Sequence, residues 1–108
     1  MAPSLFLGRR EGLVLEAIAA ERMPHRVVVH GIEPAAFFEF RDYGVNGARV
    51  GPELCRRGIG PVWQEGGRLL FAFETLEARE RAWREIGADP EWTRLSVVLR
   101  EVTVFRRV

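Results

Sequence analysis

Apolar and polar residues alternate along this chain with two different periods, and the texture changes near residue 37. Glu11 to Met23 (EGLVLEAIAAERM) carries apolar residues at 14, 15 and 18 and again at 13, 17 and 20, which predicts a broad helical face, and Pro24 stands where a helix should stop. His25 to Gly31 (HRVVVHG) packs three valines together and closes on Gly31 and the Glu33-Pro34 turn, a short buried-strand signal. From Phe37 the pattern becomes FFEFRDYGV. Phe38 and Phe40 face one way, and Glu39, Arg41 and Tyr43 face the other.

The remaining elements follow from turn and cap chemistry. Glycines 47, 51, 58 and 60 leave room for only about two helical turns around Pro52 to Arg57, with Pro52 tolerable in a first turn. Pro61 to Gln64 and Arg68 to Phe73 read as two strands joined by Glu65-Gly66-Gly67, because glycine supplies the positive φ that tight hairpins require. Thr75 can cap a helix with Leu76, Trp83 and Ile86 on its inner face, and Glu77/Arg81 and Glu80/Arg84 stand at ion-pair spacing on its outer face. Gly87 ends that helix, Asp89 and Pro90 start another, and Val97 to Val108 alternates as a final strand with Val98, Val102 and Val104 opposite Leu99 and Phe105.

The order from Phe37 onward is strand, short helix, strand, strand, helix, strand. This predicts an α+β fold of the ferredoxin-like β-α-β-β-α-β type, with an antiparallel sheet covered by helices on one face. The expected organisation is an N-terminal helix-strand extension over 1–36, packed on a ferredoxin-like domain over 37–108. Helix 11–23 is expected to lie where the shortened second element leaves apolar sheet uncovered.

Composition narrows the chemistry. The formal charge is +1 with the two signs interleaved, so no basic stripe offers itself to nucleic acid. The 16 basic residues are all arginine, a bias that GC-rich bacterial coding explains, and the lack of lysine removes P-loop and Schiff-base chemistry. Cys55 is the single cysteine, and His25 and His30 show no H-E-x-x-H pattern, so neither a disulfide nor a metal site is expected. Ser4 and Ser96 lack a nucleophile-elbow context. No apolar run is long enough to cross a bilayer and no signal peptide is visible, which points to a cytoplasmic protein; no cofactor is expected.

Three motifs carry a family resemblance. Glu39-Phe40-Arg41-Asp42-Tyr43 resembles the opening E-L-R-x-Y strand of NIPSNAP-like proteins, Phe73 to Arg79 resembles their aromatic-E-S-L-x-x-R helix entry, and Ala88-Asp89-Pro90-Glu91-Trp92 resembles their A-D-P-E-W segment. The resemblance covers about two thirds of the chain. It implies a homodimeric α/β barrel in which two ferredoxin-like sheets close face to face around a cavity. Two features depart from the family pattern: the helix after the first strand is cut short, and Leu69 to Phe71 stands where a histidine-tryptophan pair is frequent.

Within such a barrel Glu39, Arg41 and Tyr43 would line the interior. Arg41 would bind a carboxylate or enolate, Tyr43 would donate a hydrogen bond or proton, and Glu39 would set the charge of Arg41. The same three residues also suit a buried ion pair with an interfacial tyrosine. Trp63 could stack on a flat ligand or fill core, and His30 could be a base, a haem ligand or a solvated edge residue. Trp83 and Trp92 read as core anchors. The expected role is a homodimeric binding or interaction module for a small apolar or aromatic carboxylate. The alternative is a cofactor-free monooxygenase or isomerase using Arg41 and Tyr43.

Overall fold

A computed structural model describes residues 12–19 and 26–108. Among the described residues, six antiparallel strands form one sheet: β1 (Leu13–Ala19), β2 (Arg26–Val29), β3 (Phe37–Asp42), β4 (Trp63–Glu65), β5 (Arg68–Phe73) and β6 (Glu101–Arg107). Their order is β2-β1-β6-β3-β5-β4. The last four strands, with helix α1 (Val50–Arg56) after β3 and helices α2 (Leu76–Gly87) and α3 (Pro90–Arg94) after β5, are compatible with a ferredoxin-like arrangement. No helix among the described residues is long and apolar enough to cross a membrane.

The expected helix over 11–23 is a strand where it is described; positions 11 and 20–23, like His25, lie outside the described residues. LVLEAIA satisfies both periods in so short a window, and pairing decides between them. β1 has a hydrogen-bonded neighbour on each side, with Leu15 opposite Val27 of β2 and Ala17 opposite Phe105 of β6. Leu15 is fully buried while Val14 and Ile18 point outward and stay exposed. Two ladders and one buried face outweigh the modest helix preference of Leu, Glu and Ala. The segment therefore extends the sheet instead of covering it.

Strict alternation assigns every side chain of β3 to one of two layers. Tyr43, Leu69 and Phe71 meet Val50 and Leu54 of α1 and Ile86 of α2. Phe38, Leu70, Phe105 and Leu15 form a second cluster on the opposite face, joined by Ile32 from the loop after β2. Among the described residues, helices cover only the first layer.

Local signals place the helices much as expected. The Thr75 hydroxyl accepts from the Ala78 amide at 2.9 Å, and the Asp89 carboxylate accepts from the Glu91 amide at 2.9 Å with Pro90 in the first turn. A short 3₁₀ helix, Val45–Arg49, leads directly into α1. The expected ion pairs Glu77/Arg81 and Glu80/Arg84 do not form among the described residues. β6 begins only at Glu101, because residues 97–100 pass beside the end of β3, where the Arg100 amide donates to the Asp42 carbonyl at 2.8 Å.

Arg57 ties the end of α1 to the start of α3. Its Nε donates to Asp89 Oδ2 at 2.7 Å and its Nη1 to Glu53 Oε1 at 2.8 Å. The Arg57 hydrogen bond holds the Asp89 carboxyl below its ordinary 3.8, and hydrogen bonds from Arg56 and Arg57 hold Glu53 below 4.5. Groups lowered by folding stabilise the native state above their ordinary values and cease to do so as pH falls through the lowered ones. Urea midpoints of the wild type should therefore fall between about pH 5 and pH 2 more steeply than those of Arg57→Gln. Parallel pH profiles would remove Arg57 as the cause.

Candidate functional site

Two separate arrangements occupy the two faces of the sheet. On the helix-covered face, β3 projects Glu39, Arg41 and, just beyond its end, Tyr43 toward α2. The Glu39 carboxylate is fully buried. It accepts from Arg41 Nε, from Arg79 Nε of α2, and from Trp83 Nε1 of α2 at 2.9 Å. Arg41 Nη1 donates to the Tyr43 hydroxyl at 2.9 Å, and the Arg41 guanidinium lies 3.6 Å over the Trp83 ring. Trp83 in turn sits edge-on to Phe71 at 5.1 Å.

This geometry corrects the expected orientation. Glu39, Arg41 and Tyr43 do share a face, but it is the face beneath α2 and not one that could look into a barrel between two sheets. Arg41 has an ion-pair partner, an aromatic face and a hydroxyl around it, and among the described residues no buried side-chain oxygen or nitrogen lacks a hydrogen bond. Burial pushes the Tyr43 hydroxyl up from its ordinary value of 10, so the phenol is protonated throughout the neutral range. The cluster is built as a charge-satisfied brace between β3 and α2. Sequence reading placed Trp83 in the core, where it is; that its indole also donates to Glu39 depends on α2 crossing β3 at that point.

Trp63 lies on the other face. The two-residue turn at Gly66-Gly67 pairs Trp63 with Leu70, and Leu70 pairs with Phe40, so all three belong to the layer away from the helices. Trp63 is therefore not grouped with Glu39, Arg41 and Tyr43. Leu15, Val27, Val29, Ile32, Phe40 and Phe105 complete a cavity of about 330 Å³ there, with His30 and Trp63 also in its wall.

Val27 and Val29 belong to one edge strand and Trp63 to the other. In a flat sheet those edges would stand roughly 24 Å apart, five strand spacings. A single cavity touched by both requires a curled sheet whose concave side forms a trough. Among the described residues, His30 is the only ionisable side chain in its wall, and no nucleophile or carboxylate lines it. Such a surface can hold an apolar body and exclude water from it, but it carries no acid-base pair for catalysis.

Trp63 and His30 were candidates in the sequence, but the trough around them was not, because Leu15, Val27 and Val29 lie on β1 and β2 and β1 was expected to be helical. Its one available signal was the alternation of Leu13, Leu15 and Ala17. His30 falls in the trough wall, whereas Trp92 packs against the helix-side cluster as expected. Comparison with protein families, with characterised proteins and with solved structures finds no match to this chain.

Proposed function

We propose that this protein is a non-catalytic binding module of NIPSNAP-like type, which takes a small, flat, apolar or aromatic molecule in the trough on the concave face of its sheet. The observation that carries the reading is that trough, with Trp63 40% exposed at one edge strand and Val27 and Val29 at the other. A half-exposed indole offers a stacking face, and aliphatic walls supply the rest of the burial. The three NIPSNAP-like motifs support a homodimer, in which a second copy closes the open side of the trough near Val62 and Trp63. A monooxygenase or isomerase built on Arg41 and Tyr43 would have to draw Arg41 away from Glu39, Trp83 and the Tyr43 hydroxyl before that arginine met a substrate, so the binding reading is preferred.

Naphthalene, uncharged and flat, is a suitable probe. Its addition should shift the methyl resonances of Val27, Val29, Ile32 and Leu70, and Trp63→Ala should weaken its binding about tenfold by removing the stacking surface. Trough resonances that stay unmoved at saturating naphthalene would refute the site. Light scattering should give twice the 12.3 kDa chain mass, and a single-chain mass would refute the dimer while leaving the trough itself standing.

A further inference from the structure

The arginine expected to meet a carboxylate, Arg41, is occupied by Glu39, but two of the arginines without a side-chain partner among the described residues share a cavity. Arg49, at the end of the 3₁₀ helix after β3, and Arg100, just before β6, line one cavity of about 360 Å³ together with Tyr43, Leu95, Val97 and Val98. It lies at the end of β3, where the connection leaving that strand meets the connection from α3 to β6. Its wall is distinct from that of the concave trough, with no residue in common.

Three observations point to an anion with an apolar body. First, neither Arg49 nor Arg100 has an ion-pair or hydrogen-bond partner for its side chain among the described residues, although the Asp42 backbone carbonyl accepts from the Arg100 amide and Asp42 shortly precedes the segment of Arg49. The Asp42 carboxylate is engaged by the Gly44 amide at 2.8 Å. Second, the Arg100 side chain, although exposed, lies against Gly44 in the wall of the cavity. Its amide is fixed to the Asp42 carbonyl at 2.8 Å, and its Cδ and Nη1 lie so close to Gly44 that a Cβ there would approach them to 2.9 and 3.1 Å. Third, Val45 and Val98 stand bare beside the two cations, 91% and 69% exposed. Two guanidiniums in the wall of one cavity present planar donor forks that suit a carboxylate. The bare valines are apolar surface that the remainder of such a molecule would cover.

We propose that this cavity binds a small carboxylic acid with an apolar body, its carboxylate held between Arg49 and Arg100 and its hydrocarbon part against Val45, Val97 and Val98. The site is independent of the concave trough, and a carboxylate bound here leaves Glu39, Arg41 and Arg79 paired as they are.

Titration of ¹⁵N-labelled protein with 3-phenylpropionate, with the neutral 3-phenylpropionamide, and with inorganic phosphate tests the assignment. The acid should move amide resonances of residues 43–49 and 95–100 and bind about tenfold or more tightly than either the amide or phosphate. Arg49→Gln and Arg100→Gln should each weaken the acid about tenfold and leave the urea midpoint unchanged, while Arg94→Gln, an exposed arginine outside the cavity, should keep wild-type affinity. Equal binding of acid and amide would overturn the proposal, as would undiminished affinity in both variants. Phosphate binding as tightly as the acid, or shifts confined to the concave face, would overturn it equally. Because naphthalene carries no charge, its binding in the trough succeeds or fails separately from this experiment.

Discussion

Replacing Glu39 with alanine should destabilise the folded chain by about 3–5 kcal/mol, read as a lower urea midpoint with little change in slope. The size of the effect comes from what the carboxylate leaves behind. It is fully buried and is the common acceptor for Arg41, Arg79 and the Trp83 indole. Without it two guanidiniums would remain together under α2 with no counter-charge, and their side chains are only 14% and 23% exposed. Breaking one partner from a buried pair costs far more than the pair contributes relative to an apolar substitute. A double-mutant comparison makes the point testable. Trp83→Phe should cost about 1.5–3 kcal/mol alone, for the lost hydrogen bond to a charged group, and much less in the Glu39→Ala background. Additive effects of the two substitutions would show that the brace is not acting as a unit.

Gly67→Ala should cost about 3 kcal/mol, near the top of the range for overpacking. A Cβ on Gly67 would run into the Gly44 carbonyl oxygen, which belongs to the backbone of another segment and has no free rotation with which to retreat. The same corner is fixed by two further contacts. The Tyr43 amide donates to the Gly67 carbonyl at 2.8 Å, and a Cβ on Gly47 would meet Tyr43 Cβ. Separating the β4–β5 turn from the end of β3 would therefore also release Tyr43 from the helix-side core. The neighbouring Gly66 is the control. Its φ of 61° calls for glycine or asparagine, but a Cβ there meets nothing within 4 Å, so Gly66→Asn should cost less than about 1 kcal/mol. Equal losses at the two positions would mean that turn conformation, and not close approach, governs this corner.

Much of the architecture was legible before any coordinates, for local reasons. Thr75, Asp89 and Pro90 start helices wherever they stand in this chain because their side chains satisfy or remove free amides in the first turn, without help from distant residues. The Gly66-Gly67 turn is equally local, and it sets the register that pairs Trp63 with Leu70. That Glu39, Arg41 and Tyr43 share a face follows from the two-residue period of any strand.

What the amino-acid sequence determined by itself, then, was the identity of most elements after Phe37 and the separation of β3 into two unlike faces. It could not say which face the helices would cover, because alternation distinguishes the layers without naming them. That choice depends on the path of the connections across the sheet, and it turned the expected ligand-binding triad into a brace under α2. Nor could it settle the state of LVLEAIA, where seven residues fit either period and only β2 and β6, ten or more residues away in the chain, supply the ladders that make it a strand. Tertiary structure alone decided that β1 and β2 join the sheet, that it curls until its two edges share a trough, and that Arg49 and Arg100 line one cavity. Each of these joins residues distant in the chain through backbone pairing and packing, interactions whose partners no short window of sequence contains.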